Sequence, residues 1–147
     1  MSRVRESELG AARRMFGGLP VASVATLNED GSPHVVPLWF VWPADAIYVA
    51  TRREGRTWRN ARRDPRAALT IDLGRSWVEI AGVEVRGRAR TLRAEDPDMR
   101  QPISAWHEKY RALLSGDGFS RFAEEIRGLG FLRVEPEELS LWDHARE

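Results

Sequence analysis

The first fifty residues alternate between short apolar segments and compact polar turns. Apolar residues at helical spacing, followed by Gly17-Gly18, predict a short helix over residues 5–17. Asp30-Gly31 marks a tight turn between two segments rich in β-branched residues. With the segment after them, these predict strands over residues 21–27, 34–42 and 46–51. Such a run of strands and turns is typical of an antiparallel meander.

After Thr51 the sequence alternates between helix-like and strand-like segments. A helix is predicted over residues 54–64, because the residue before a proline disfavours helical backbone and Pro65 follows. The pattern further predicts helices over 96–115 and 119–130 and strands over 67–73, 77–92 and 131–143. Gly82 and Gly87 favour a bend in the longest strand, as at a barrel corner. The expected fold is one domain over residues 1–147, mainly β with short helices, built as a six-stranded antiparallel barrel.

The predicted strand 34–42, "HVVPLWFVW", is apolar on both faces. A sheet with one face in water would alternate apolar and polar residues, so this strand is covered on both sides. One face suits a barrel interior, and the other needs a helix, a second subunit or a flat ligand. Pro37 has no N–H to donate and belongs at a sheet edge or a bulge, where backbone groups can meet another molecule. A local bulge without any ligand is the alternative interpretation.

Composition narrows the classes of function. The apolar fraction of 42% and the charged fraction of 31% are those of a soluble globular domain. The chain has no cysteine, which removes disulfides and thiolate metal sites. It has no apolar run of about 18 residues and no apolar signal-peptide core near its N-terminus, so we expect a cytoplasmic protein without a membrane role. The net charge is +1, lower than is usual for a protein that coats nucleic acid, and Lys109 is the only lysine.

One segment, residues 48–66, is strongly basic within this nearly neutral chain. Its seven arginines are Arg52, Arg53, Arg56, Arg59, Arg62, Arg63 and Arg66. Thr51 ends a predicted strand, and Arg56 and Thr57 lie in the first turn of the next helix. A helix start offers unpaired N–H groups and partial positive charge, so these residues could together hold one phosphate.

This basic segment has three alternative interpretations. The first is a solvated helix face paired with Glu54 and Asp64. The second is a nucleic-acid contact that uses Trp58 for base stacking, against which the acidic residues and the low net charge both argue. The third, a membrane-surface helix, is set aside because the segment has no apolar face.

No hydrolytic or metal constellation is recognisable. The three histidines, His34, His107 and His144, are far apart in sequence, and no pair has metal-ligand spacing. There is no nucleophile elbow and no P-loop. We therefore assign no catalytic and no metal-binding residue, and we expect a cofactor to supply any chemistry.

Three motifs together resemble a known family. They are D-G-x-P in the hairpin, V-x-P-x-W-F in the second strand, and T-x-x-x-G-R-x-x-R-N-x-x-x-x-P-R through the basic segment. This order resembles the split β-barrel family of pyridoxamine 5′-phosphate oxidase and its relatives that use FMN or the deazaflavin coenzyme F-420. The resemblance runs from Leu19 to Leu92, with weaker agreement over residues 131–143, and is nearer to the F-420-type branch.

The resemblance implies a homodimer with two cofactor sites at the subunit interface. By position in the motifs, Val36, Pro37, Leu38 and Trp39 would line the flavin-type ring. Thr51, Arg56 and Thr57 would hold the phosphate, with Arg53 and Asn60 nearby, and Trp77 and Trp142 are looser candidates for contacts across the dimer. The family commonly has lysine where this chain has Thr57, which removes one positive charge. Arg52, Arg53 and Arg59 could compensate, or could contact the acidic tail of F-420.

We therefore expect an oxidoreductase that transfers a hydride between a bound cofactor, F-420 or FMN, and a small organic substrate. A cofactor-binding or carrier protein without turnover is the alternative. A nucleic-acid binder that uses residues 52–66 is the second alternative.

Overall fold

The computed structural model describes residues 5–114, 120–121 and 124–146, and its main feature is a closed antiparallel β-barrel. The six strands follow one another around the barrel in the order β1-β2-β3-β6-β5-β4. Their bounds are β1 Val21–Leu27, β2 Pro33–Val41, β3 Ile47–Arg52, β4 Arg66–Leu73, β5 Ala81–Arg93 and β6 Leu129–Asp143. The predicted mainly β, six-stranded antiparallel fold is confirmed.

Helices α1 Glu6–Phe16, α2 Arg56–Arg63 and α3 Arg100–Leu113 accompany the barrel in the described residues. Helix α1 buries Leu9, Ala12 and Phe16 on one face and ends where the Gly17 N–H donates to the Arg13 carbonyl at 2.8 Å. None of the helices in the described ranges is long and apolar enough to cross a membrane.

Two predicted elements differ from the structure. Residues 77–79 are not part of the long strand, which begins at Ala81. They form a short 3₁₀ turn because Ser76 and Glu79 make a capping box that ends the extended backbone. The helix predicted over 119–130 falls partly outside the described residues. Within it, residues 120–121 and 124–125 are helical, Ile126–Gly128 form a 3₁₀ turn, and Leu129 already belongs to β6.

The bend predicted from the glycines of β5 lies at Gly87. The register between β5 and β6 shifts between Arg86 and Gly87. A Cβ at Gly87 would overlap the Glu135 carbonyl of β6, so only glycine allows the two backbones to approach this closely. The long strand can therefore turn the corner of the barrel.

Two apolar clusters lie on opposite sides of the sheet. The first fills the barrel and includes Phe40 and Trp42 of β2 together with the buried face of α1. The second lies outside the barrel, where α3 contributes Trp106 and Tyr110 and β2 contributes Val41. The doubly apolar character of the second strand is thus explained at its C-terminal end by the barrel core on one face and a helix on the other.

Candidate functional site

The barrel has a gap between β2 and β3. Strand β1 pairs with β2 continuously from Val21↔Trp39 to Leu27↔Pro33. In the described structure β2 pairs with β3 only at Phe40↔Val49 and Val41↔Tyr48. Beyond those pairs the strands separate, so the edge of β2 from Pro33 to Trp39 has no ladder partner on that side. Pro37 lies within this edge, where its missing N–H costs no ladder bond.

The predicted ring-lining residues alternate along this edge. Val36 and Leu38 are half-buried on the barrel side, and Leu38 packs against the barrel core. Pro37 faces outward and is exposed. Trp39 also faces outward, and its ring stacks on Tyr110 of α3 with centroids 4.5 Å apart and planes 12° apart. Pro37 and Trp39 can therefore meet a ligand at this edge through their side chains, whereas Val36 and Leu38, like Phe40, direct their backbone N–H and C=O groups towards β1.

Helix α3 anchors β2 at the point where the gap begins. The Phe40 N–H donates to Tyr110 Oη at 3.0 Å, and that hydroxyl lies 2.7 Å from the Pro20 carbonyl. Lys109 Nζ donates to the Phe40 carbonyl at 2.7 Å. Pro20 has no N–H, so it cannot serve Phe40 as a ladder donor, and the two side chains of α3 replace the missing bonds.

The predicted phosphate-binding residues come together where β3 leads into α2. Thr51 and Thr57 are buried, at 8% and 5% exposed, whereas Arg56 is exposed. Glu54 adopts a positive φ of 62° in the tight turn between them, and Gly55 is the N-cap residue. No side chain caps α2, so the first-turn N–H groups of Arg56 and Thr57 have no partner within the helix. A non-glycine residue held at positive φ is strained, and such residues cluster at functional sites.

Side chains of helix α2 also form hydrogen bonds with the end of β1. Asn60 Nδ2 donates to Thr26 Oγ1 at 3.2 Å and to Asn28 Oδ1 at 3.0 Å, and Asn60 is only 4% exposed. Arg63 Nη2 donates to the Leu27 carbonyl at 2.6 Å and to Asn60 Oδ1 at 3.0 Å. The hydrogen bonds of the Asn60 amide thus hold α2 against the end of β1. This is a structural role, distinct from the cofactor contact predicted from the sequence.

A polar cleft of about 590 Å³ lies between α2 and the β1–β2 turn. Its charged lining is Arg56, Arg59 and Arg63 from the helix and Glu29 and Asp30 from the turn, a net excess of one positive charge. Hydrogen bonds from Ser32 hold the pKa of Asp30 below its ordinary value, so this carboxylate stays ionised but is already paired. This polar cleft adjoins the free edge of β2 at the β1–β2 hairpin, since Ser32 lines the cleft and β2 begins at Pro33.

The arginines of the basic segment divide into two groups. Arg62 pairs with Glu54 at 3.1 Å and Arg66 with Asp64 at 2.7 Å, as the solvated-face interpretation predicted. Within the described residues, Arg56 and Arg59 make no ion pair or hydrogen bond. They lie one turn apart and are both exposed to the cleft. These two guanidiniums are therefore available for an anionic ligand.

Arg53 and Trp77 lie apart from this group. Arg53 Nη2 donates to the Arg127 carbonyl at 3.2 Å and lies 3.5 Å from a Glu95 oxygen. Trp77, 76% exposed, lies in the turn between β4 and β5 and contacts the His144 ring. Trp142 is half-buried, and its ring would overlap a Cβ placed at Gly82. The contacts of these three side chains all lie outside the β2–β3 gap of the same chain.

Sequence reasoning missed Lys109 and Tyr110. Both belong to a predicted helix, and nothing in their spacing indicates that they bond to the β2 backbone. The one available signal was that Lys109 is the only lysine in a chain that otherwise uses arginine.

A protein-family model described as pyridoxamine 5′-phosphate oxidase matches residues 10–143. Among functionally curated proteins, none matches the chain.

Several solved structures share the fold. A FAD-binding protein from Mesorhizobium loti is 22% identical, with a TM-score of 0.67 over 94% of this chain and 92% of that one. The heme storage protein HutZ from Vibrio cholerae is 18% identical, with a TM-score of 0.68 over 97% and 95%. An F-420 reductase is 18% identical, with a TM-score of 0.61 over 87% and 94%. At these identities the likeness concerns the fold alone.

Proposed function

The chain belongs to the pyridoxamine 5′-phosphate oxidase family, and on that premise we propose that it is an oxidoreductase using a flavin-type cofactor, F-420 or FMN. When bound, such a cofactor supplies hydride transfer to or from a small organic substrate. The protein's own residues would bind and orient the cofactor and shield its reacting face from water. No side chain is assigned as an acid or base.

The observation that carries this proposal is the pair of free guanidiniums beside an uncapped helix start. Arg56 and Arg59 have no partner among the described residues, and α2 begins at Arg56 without a side-chain cap. A phosphate would meet both kinds of donor at once, which suits its charge and its several acceptor oxygens. Thr57 is uncharged where the family commonly has lysine. Arg59, on the same helix, would supply the missing positive charge to the phosphate.

The free edge of β2 supports a place for the ring beside this cleft. Its backbone from Pro33 to Trp39 has no ladder partner on the β3 side, and Pro37 and Trp39 present apolar surface outward. A flat heteroaromatic ring has hydrogen-bonding atoms at its rim and apolar faces, so it fits both features.

We also propose a homodimer with the cofactor sites at the subunit interface. Large apolar side chains are exposed on the barrel surface: Leu73 at 41%, Trp77 at 76%, Val78 at 70% and Leu141 at 45%. Exposed apolar surface of this kind is typical of an interaction site. Trp77 would reach a cofactor only from a second copy of the chain. Light scattering of the purified protein measures the subunit number directly, and a monomer at all concentrations would contradict this proposal.

Two alternatives make different predictions. A cofactor-binding or carrier protein without turnover agrees with the absence of any assigned acid or base, and a heme storage protein shares the fold. A nucleic-acid binder using residues 52–66 would need Trp58 for base stacking, but Trp58 lies on the buried face of α2 and is only 3% exposed. The structure therefore disfavours the second alternative.

Titration of the full chain with FMN and with F-420, followed by cofactor fluorescence, tests the proposal. Arg56→Ala should weaken the binding of the preferred cofactor by about 1.5–3 kcal/mol, roughly 10- to 160-fold, through loss of a charged hydrogen bond. Arg62→Ala is the matched control. It removes the same charge from the same helix, but from a side chain that is paired with Glu54.

Failure of the folded wild type to bind either cofactor would overturn both the oxidoreductase and the carrier interpretations. Equal affinities in Arg56→Ala and the wild type would remove Arg56 from the site. Tight binding without hydride transfer to any of a panel of small organic acceptors would favour the carrier.

A further inference from the structure

Lys109, the only lysine of the chain, lines a cleft that the proposed cofactor site does not use. This cleft of about 260 Å³ lies between the end of α1, the β2–β3 turn and α3. Its other lining residues are Gly17, Gly18, Val41, Trp42, Pro43, Ala105 and Glu108. None of them belongs to the polar cleft beside α2.

The Lys109 amine is in an environment that disfavours its positive charge. In the described part of the chain no carboxylate lies within ion-pair distance of Nζ, and Glu108 is the one other charged residue on the cleft wall. Burial lowers the pKa of Lys109 from its ordinary 10.5 to about 7. The Phe40 ring, with its centroid 3.5 Å from Nζ, opposes this effect in part by attracting the cation.

The hydrogen bond to β2 does not require the charged form. Nζ donates one N–H to the Phe40 carbonyl at 2.7 Å, and a neutral amine can make the same bond while keeping its lone pair. The nearby Tyr110 hydroxyl is 3.1 Å from that carbonyl and is kept protonated, because burial raises the pKa of Tyr110 far above its usual value. The amine is thus fixed in position, and a desolvated lysine is a recognised nucleophile toward carbonyl compounds.

We propose that Lys109 is a carbonyl-reactive amine, and that its Nζ condenses with a small neutral aldehyde or ketone that enters this cleft. The lone pair of the neutral amine attacks the carbonyl carbon, and the carbonyl oxygen leaves as water with the two protons of that amine. The product is an imine, so no oxidant or reductant takes part. The wall formed by Val41, Trp42 and Pro43 favours an apolar substituent, and the Glu108 carboxylate disfavours an anionic one.

Reductive trapping tests this with the full-length protein. Propanal and cyanoborohydride convert any imine to a stable secondary amine, which intact mass and peptide mapping locate. At pH 7 an ordinary lysine is neutral in roughly one molecule in 2,500, whereas an amine of pKa near 7 is half neutral. We expect Lys109 to be modified about tenfold or more faster than N-acetyl-lysine amide, with a rate that levels off above about pH 7.

Lys109→Arg is the control, since it keeps a donor for the Phe40 carbonyl but has no nucleophilic amine. The N-terminal amine is then the only aliphatic amine left to react. Modification of wild-type Lys109 no faster than that of N-acetyl-lysine amide, or a rate that keeps rising to pH 10, would overturn the proposal. Both readouts use the wild type, so they stand even if the variant fails to fold, and neither depends on cofactor binding.

Discussion

Tyr110→Phe should destabilise the protein although it removes only one oxygen atom. Tyr110 is 1% exposed, and its hydroxyl accepts the Phe40 N–H at 3.0 Å while lying 2.7 Å from the Pro20 carbonyl. Phenylalanine would keep the ring that stacks on Trp39. The substitution therefore separates the hydrogen bonds of Tyr110 from its packing.

The magnitude follows from which groups lose their partner. The buried Phe40 N–H would have no acceptor, and an unsatisfied buried donor costs about 1–3 kcal/mol. The Phe40 carbonyl would keep Lys109, and the Pro20 carbonyl belongs to an exposed residue that water can reach. We expect a loss of about 1.5–3 kcal/mol in the free energy of unfolding, equivalent to about 4–10 °C in Tm for a domain of this size.

Urea unfolding followed by circular dichroism measures this loss, and Tyr48→Phe is the matched control. Tyr48 is the other tyrosine of the chain, and its hydroxyl accepts from Arg133 Nε at 3.1 Å. Arg133 also pairs with Glu135, and the side chain is 32% exposed, so its head can be hydrated when the bond is lost. Tyr48→Phe should cost less than about 1 kcal/mol. Equal losses in the two variants would refute the reasoning that Tyr110 replaces a missing backbone ladder.

Two further predictions concern other parts of the molecule. Gly130→Ala should lower the free energy of unfolding by about 1–3 kcal/mol, because the added Cβ would overlap the buried Trp58 ring. Gly18→Ala is the control and should be nearly neutral, because a Cβ at Gly18 meets open space. Thermal melting curves of the two variants measure the difference. Between about pH 7 and 10.5 the unfolded chain carries more protons at Lys109 than the folded chain, so the wild type should gain stability relative to Lys109→Met as pH rises through this window. A stability difference independent of pH would contradict this.

The barrel could be predicted because its signals are local. Asp30-Gly31 and the segments around it specify a hairpin through turn chemistry and side-chain alternation, which act between near neighbours. The split-barrel resemblance is confirmed by the family match over residues 10–143. The strand predicted to start at Trp77 was wrong, because a capping box makes residues 77–79 a 3₁₀ turn, and the helix predicted over 119–130 ends before Leu129.

The candidate site could be predicted in part. The sequence brings Thr51, Arg56 and Thr57 together because they are close in the chain, and the structure places them around one helix start. It could not show that Arg53 turns to the Arg127 carbonyl, because these residues are far apart in sequence. The assignment of any of them to a cofactor stays a prediction.

By itself, the sequence determined the strands, their turns and the basic helix start, since periodicity and turn residues encode short-range backbone preferences. Only the tertiary structure decided which arginines are free. Arg62 and Arg66 pair with carboxylates, while Arg56 and Arg59 face the polar cleft and pair with no carboxylate of the described residues. It also decided that Lys109 reaches the Phe40 carbonyl, 69 residues away along the chain, across the sheet. Charge and burial depend on neighbours brought together by folding, and one-dimensional spacing does not specify those neighbours.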